Sequence, residues 1–392
     1  MDLFQKCYAP MAADEYREKG IYPYFRALET RQGPEVVMEG KRRIMLGSNN
    51  YLGLTSCPEV VEAGIQALEK FGTGCSGSRF LNGTLTMHLE LEAELAKFLR
   101  KDAVMTFSTG FQSNLGIISA LVGRSDYMIL DRENHASIYD GTRLSFGKML
   151  RYRHNDMADL ERCLQQVPET AGALIITDGV FSMGGDIADL VSIVKLARQY
   201  GARVMVDDAH GLGTIGEGGR GTASYFGLEK EVDVYMGTFS KSLASLGGYM
   251  AADARIVDYA RHNSRPFIFS ASIPPASCAT ALAALRHLEA HPELPKRLSD
   301  LGDHFRTALK SRGLAIRESK TPIVPIFTYQ AERTMQVAEK LYENGVYVNT
   351  VLPPAAPADG CMLRTSLMAT HTEALLDEAA DVLQQVLEAD HV

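Results

Sequence analysis

The sequence has no tryptophan, no Cys-x-x-Cys pair and no repeat or low-complexity segment. Its six cysteines, Cys7, Cys57, Cys75, Cys163, Cys278 and Cys361, are scattered over 392 residues. That pattern excludes a disulfide framework and a zinc ribbon and suits reduced thiols in the cytoplasm, so no metal site is expected. No apolar run approaches the roughly 20 residues of a membrane-spanning helix, and no transmembrane segment is expected. Basic residues are in deficit, 40 against 48 acidic ones, for a formal charge of −8, which argues against nucleic acid as a partner. The opening Met-Asp-Leu-Phe-Gln-Lys-Cys has no basic stretch followed by an apolar one, so an export signal is not expected. What remains, 46% hydrophobic and 22% charged residues, is the composition of a globular chain long enough for two domains.

The order of apolar runs gives the architecture. Residues 1–40 read as an arm, helix-prone at Asp14 to Lys19 and then broken by Gly20-Ile21-Tyr22-Pro23-Tyr24-Phe25. Strands are expected at 43–46, 103–107, 127–131, 149–152, 173–177, 203–206 and 232–236, with helices at 58–71, 115–122, 157–166 and 190–200 between them. Strands alternating with helices imply an α/β fold, a mostly parallel sheet covered on both faces. A strand at Phe267-Ile268-Phe269 and a long helix from Ala276 to Ala290 follow. His291-Pro292-Glu293-Leu294-Pro295 is the best linker, dividing a large domain (41–290) from a smaller C-terminal α+β unit (291–392).

Ligands of parallel sheets bind beyond the carboxyl ends of the strands, and there the polar residues accumulate. One expected strand ends at Asp178 and reaches Ser182, the next ends at Asp207-Asp208-Ala209-His210, and a third at Thr238 and Lys241. Each alone has a bland explanation as a cap, an ion pair or a solvated turn. A loop lysine is ordinarily a surface residue. Together they offer an amine for an imine with an aldehyde, and Asp207 to keep a pyridine nitrogen protonated. His210 or Ser182 could bond a phenolic oxygen, and His135, in Asn134-His135-Ala136-Ser137, could stack on a ring. The turn Ser108-Thr109-Gly110-Phe111 before a helix offers amides for a phosphate, with Thr238 beside them. This is the chemistry of pyridoxal 5'-phosphate. Arg364, mid-strand, would clamp a carboxylate if it faced the lysine.

With those residues assembled, the chain resembles the α-oxoamine synthases, pyridoxal phosphate enzymes of fold type I. The resemblance runs from about residue 40 to the end. Ser-Asn-Asn-Tyr-Leu-Gly-Leu (48–54), Asn-His-Ala-Ser (134–137), Asp-Gly-Val-Phe-Ser-Met (178–183), Val-Asp-Asp-Ala-His-Gly (206–211), Gly-Thr-Phe-Ser-Lys (237–241) and Leu-Arg-Thr-Ser (363–366) stand in the family's order. It implies a large domain with a seven-stranded sheet. Lys241 is implied as the Schiff-base lysine, Asp207 on the pyridine nitrogen, His210 near the phenolic oxygen and His135 over the ring. Gly110, Phe111, Ser182 and Thr238 are implied around the cofactor, and Asn49 and Arg364 on the substrate. It further implies a homodimer with shared sites, in which Ser270 and the loop 74–84, Ser78 included, serve the neighbouring subunit.

Within the family, Ser78 to Thr84, Tyr22 to Arg26 and Ser366 to Thr372 look most like the soluble bacterial serine palmitoyltransferases. That likeness implies L-serine and a long-chain acyl-CoA as substrates and 3-ketosphinganine, CO2 and CoA as products. It places the chain in the cytoplasm, at most peripheral at the inner membrane surface. One departure is Gly211, where palmitoyltransferases often carry serine and the glycine and alanine users carry glycine. A sister synthase using those amino acids is the first rival reading, and a non-catalytic scaffold subunit the second.

Overall fold

A computed structural model describes residues 2–389; Met1 of the expected arm and residues 390–392 of the expected C-terminal unit lie outside them. Strands β1 (Glu35–Met38) and β2 (Lys41–Met45) come first, joined through Glu39 and Gly40, both at positive φ as a tight hairpin turn demands. Seven strands then form the central sheet: β3 (Ala103–Phe107), β4 (Tyr127–Asp131), β5 (Lys148–Tyr152), β6 (Ala173–Asp178), β7 (Arg203–Asp207), β8 (Val234–Thr238) and β9 (Gly248–Ala252). Their spatial order is β3-β9-β8-β7-β6-β4-β5, and only β9 runs against its neighbours.

Both faces of this sheet are core. Ile129, Ile175, Val204 and Val206 pack on one side with Leu91, Leu95, Ile193 and Leu285. Met128, Leu130, Ile176 and Met205 pack on the other with Ile117, Ile118, Ile138 and Val257. The alternation explains why β4 and β8 are buried at every residue and read as continuous apolar runs. Local chemistry sets the helix ends. Helix Leu190–Tyr200 starts where Asp189 accepts the Ser192 N–H at 3.1 Å and stops at Gly201 in the left-handed region.

The C-terminal part adds β10 (Ile323–Tyr329), β11 (Val346–Tyr347), β12 (Asn349–Val351) and β13 (Cys361–Ser366). β13 lies between β10 and β12, and β11 pairs with β2. Ile44, Leu46 and Tyr51 sink into the core built by Phe305, Leu341, Leu363 and Leu376. The small layer thus takes β2 from the stretch that the sequence reading puts at the head of the large domain. Among the described residues no helix is long and apolar enough to cross a membrane.

Two elements differ from expectation. The helix expected at Leu115 begins at Gly110, five residues earlier, because Thr109 caps it by accepting the Gln112 N–H at 3.1 Å. Phe267 is helical (Arg265–Ile268), not a strand: Pro266 fixes a helix-compatible φ, and packing on the Phe107 ring 5.7 Å away outweighs aromatic β-propensity.

One ion-pair network ties the sheet end to the loop that carries Ser182. His154 donates from Nδ1 to Asp131 at 3.0 Å and from Nε2 to Asp186 at 2.7 Å, its ring against Phe181. Burial pushes this imidazole down, but the hydrogen bonds and charges of Asp131 and Asp186 outweigh it and hold its pKa up at about 10. A raised pKa stabilises the fold fully below the unfolded value and fades as pH climbs through the folded one. His154→Gln should therefore lower unfolding free energy by about 3 kcal/mol at pH 6, and the gap should close above pH 10. Denaturant unfolding of both chains across that range checks this; a gap that ignores pH would assign the effect to packing on Phe181.

Candidate active site

Strands β6, β7 and β8 end side by side. Asp178 is the cross-strand neighbour of Asp207, and Asp207 of Met236, two residues before Thr238. Both carboxyls are buried. Asp207 accepts the Asn114 amide at 2.7 Å and the Ala209 N–H at 3.1 Å. Asp178 accepts the His135 N–H at 3.0 Å, while its other oxygen is buried without a partner. Burial, and then the charge of Asp207, push the Asp178 carboxyl well above the usual range.

Lys241 follows β8 in a turn closed by the Ala244 N–H on its carbonyl, with Ala244 in the left-handed region. Its amine makes no hydrogen bond or ion pair among the described residues. Burial lowers its pKa to about 8, with Arg364 adding to the effect against the pull of Asp207 and Asp178. His210 lies next to it, Nδ1 paired with the Tyr51 hydroxyl at 2.7 Å. Burial, Lys241, Arg364 and His135 all push that imidazole well below its ordinary value, so it is neutral. His135 caps helix Ala136–Leu144 and meets the Ser137 hydroxyl at 2.7 Å; burial and Lys241 lower its pKa against the opposing charge of Asp207.

Two adjoining cavities share His135, Ser182, His210 and Lys241. The first, about 280 Å³, also takes in Asp178, Asp207, Thr238, Gly110 and Phe111. Gly110 is the first residue of its helix, and a Cβ there would fall 2.7 Å from the Thr238 hydroxyl, so only glycine lets the helix N-terminus reach the strand end. The second, about 360 Å³, takes in Asn49 and Arg364. Arg364 is 4% exposed and donates to the Ser182 carbonyl (2.5 Å), Ser366 (3.0 Å), Asn49 (2.9 Å) and Tyr51 (3.3 Å). None of these is anionic, and Arg364 makes no ion pair among the described residues. A buried cation is ordinarily paired; this one is held rigidly beside the lysine and wants an anion.

Ten of the twelve residues that the sequence singles out thus converge: Asn49, Gly110, Phe111, His135, Ser182, Asp207, His210, Thr238, Lys241 and Arg364. Ser78 and Ser270 line neither cavity; an isolated bridge from Ser78 to Ala271 joins the two loops that carry them. Sequence reasoning missed the supports. Asn114 lies one turn after Gly110, which turns its amide onto Asp207 only because the helix starts early. Tyr51 was legible as part of a motif, but not as the hydroxyl shared by His210 and Arg364.

The set fits a phosphorylated pyridine aldehyde. It has an unpartnered amine of lowered pKa, a buried carboxylate fixed by an amide for a ring nitrogen, and a glycine-opened helix N-terminus for a phosphate. The model of aminotransferase class I and II matches residues 41–383. The chain belongs to this family, in its α-oxoamine synthase branch. The serine palmitoyltransferase of Sphingobacterium spiritivorum is 51% identical over 373 residues, 95% of this chain and 94% of the relative. The 8-amino-7-oxononanoate synthase of Geobacter sulfurreducens is 45% identical over 375 residues, 95% and 96% of the two chains. A solved serine palmitoyltransferase with pyridoxal phosphate superposes with a TM-score of 0.97 at 38% identity and complete coverage of both chains.

The one departure of this α-oxoamine synthase from palmitoyltransferase habit has a local cause. A Cβ at Gly211 would fall 1.8 Å from an oxygen of Asp208, which is buried and bonded to the Thr222 N–H and hydroxyl at 2.7 and 2.6 Å. Gly211 lines neither cavity. The space at Gly211 is therefore set by Asp208.

Proposed function

We propose that this α-oxoamine synthase condenses L-serine with a long-chain acyl-CoA such as palmitoyl-CoA, releasing 3-ketosphinganine, CO2 and CoA. The observation that carries the amino-acid half is Arg364, buried, fixed and without an anion among the described residues, sharing a cavity with Lys241. Likeness to the named palmitoyltransferase relatives supports serine and the acyl-CoA.

Pyridoxal phosphate, when bound, supplies an aldehyde for an amino group and a pyridinium ring that takes up the electron pair left at Cα. The Gly110 and Phe111 amides and Thr238 would hold its phosphate, and Asp207, braced by Asn114, would keep its ring nitrogen protonated. His135 would cover one face of the ring, and neutral His210 and Ser182 would offer hydrogen bonds to its phenolic oxygen. Arg364 and Asn49 take the serine carboxylate. Lys241, whose pKa burial brings down to about 8, would in its neutral form take the Cα proton onto Nζ. His135 would present an N–H to the acyl thioester carbonyl while the carbon–carbon bond forms and the CoA thiolate leaves; the carboxylate then departs as CO2, and Lys241 would return a proton from Nζ to Cα.

A homodimer belongs to the same reading. Phe80, Leu81 and Phe269 are exposed on the loops that hold Ser78 and Ser270, which supports these loops reaching a second copy, Ser270 toward its phosphate and Ser78 toward its substrate. The reading also keeps the chain in the cytoplasm, with exposed Leu3, Phe4, Tyr8 and Met11 as an apolar edge toward the inner membrane surface. Incubation with L-serine and palmitoyl-CoA should release CoA at a rate well above glycine or alanine controls. Brisk release with either control and none with serine would return the chain to a sister synthase that uses glycine or alanine, of the 2-amino-3-ketobutyrate CoA ligase or 8-amino-7-oxononanoate synthase type.

A further inference from the structure

Cys57, Glu59 and His287 bring one sulfur, one oxygen and one nitrogen within 4.8 Å of one another, and none of the three lines the cavities above. The residues come from two packed helices. Cys57 is the N-cap of helix Pro58–Phe71, and His287 lies in the last turn of helix Pro275–Ala290, 230 residues away in sequence. The packing is tight: a Cβ on Gly64 of the first helix would come within 3.0 Å of Thr280 on the second. Spacing within the sequence therefore gives no hint of the cluster, which explains why the scattered cysteines read as inert.

We propose that these three side chains bind one zinc-class divalent cation, with water completing a tetrahedral shell. Zinc–sulfur and zinc–nitrogen bonds of about 2.3 and 2.0 Å set sulfur and nitrogen about 3.5 Å apart across a tetrahedral edge. Here Cys57 Sγ and His287 Nδ1 are 3.8 Å apart. The thiol donates to Glu59 Oε2 at 2.8 Å. The cation replaces that shared proton: the S–H bond breaks, a sulfur–metal bond forms, and one proton passes to solvent. The Glu59 side chain is exposed and free to open to the wider edge. His287 is held in place by the His291 ring, 4.3 Å away, whose own Nδ1 is paired with Glu293 at 3.1 Å. That pairing leaves the fourth position to water. A cavity of about 470 Å³ lined by Glu59 and His287 gives entry. Thiolate with imidazole and one carboxylate selects zinc over magnesium or calcium, which need oxygen ligands.

The test is an equilibrium titration of the reduced, metal-free holoenzyme with zinc chloride against a chromophoric chelator. One equivalent should bind, unaffected by excess magnesium. Cys57→Ser and His287→Ala should each weaken it at least about tenfold, Cys7→Ser, which removes an exposed thiol elsewhere, should not, and all should release CoA normally in metal-free buffer. Cobalt added to the wild type should give a sulfur-to-metal charge-transfer band, absent in Cys57→Ser, which reads the site even if His287→Ala folds poorly. Zinc binding that is absent, or equal in wild type and Cys57→Ser, would overturn the proposal.

Discussion

Lys241→Ala is expected to leave the fold intact and to remove both visible cofactor absorbance and CoA release, the latter by at least about 10³-fold. The lysine carries two duties that no neighbour can assume. Among the described residues it is an amine without hydrogen bond or ion pair, and it lies at the junction of the two cavities, where the Cα proton must be taken. His135 and His210 share both cavities, but His210 is locked to Tyr51 at 2.7 Å. The pH dependence gives a second readout. An amine attacks an aldehyde only when neutral, and burial brings the Lys241 pKa to about 8. The rate at which the apoenzyme takes up pyridoxal phosphate should rise with pH and level off just above 8, more than two units below an ordinary lysine. Survival of the absorbance band in Lys241→Ala, or a rate still climbing at pH 10, would move the role elsewhere.

Arg364→Ala is expected to cost about 10²- to 10³-fold in kcat/KM for serine, the cost of losing a buried charge pair. Cofactor absorbance should survive, because Arg364 lies in the neighbouring cavity. Arg364→Lys keeps the charge but loses the fork that Ser182, Ser366, Asn49 and Tyr51 hold in place, and it should recover only part of the loss. The stability of the unliganded protein gives the sharper contrast. A guanidinium buried without an anion is a burden to the empty fold, so the alanine variant should unfold no more easily than wild type. A large fall in melting temperature with KM for serine unmoved would make Arg364 a structural residue of the small layer.

Much of this site was legible before any coordinates because its residues sit at predictable points, the carboxyl ends of buried strands. Asp178, Asp207 and Thr238 each close a strand whose apolar run is plain in the sequence, and parallel pairing brings such ends together. Residues that act through others were not legible. Asn114 braces Asp207 only because Thr109 starts the helix five residues early, and one cap decides that. Tyr51 reaches His210 and Arg364 from the turn after β2, and β2 joins the C-terminal layer, a pairing across some 300 residues that no local pattern encodes. β9 and helix Thr86–Leu99 went unread. Phe267 misled for the opposite reason, since its aromatic neighbours favour a strand and a proline with one ring contact settled a helix.

The placement of β13 has a consequence for how the enzyme is made. It is the last strand among the described residues, yet it lies in the middle of its sheet, between β10 and β12, and it carries Arg364. During synthesis every residue of the cofactor cavity has left the ribosome before this strand exists. A nascent chain can therefore assemble the reactive amine and its carboxylate first. Selection of an amino acid waits until one strand slides between two others.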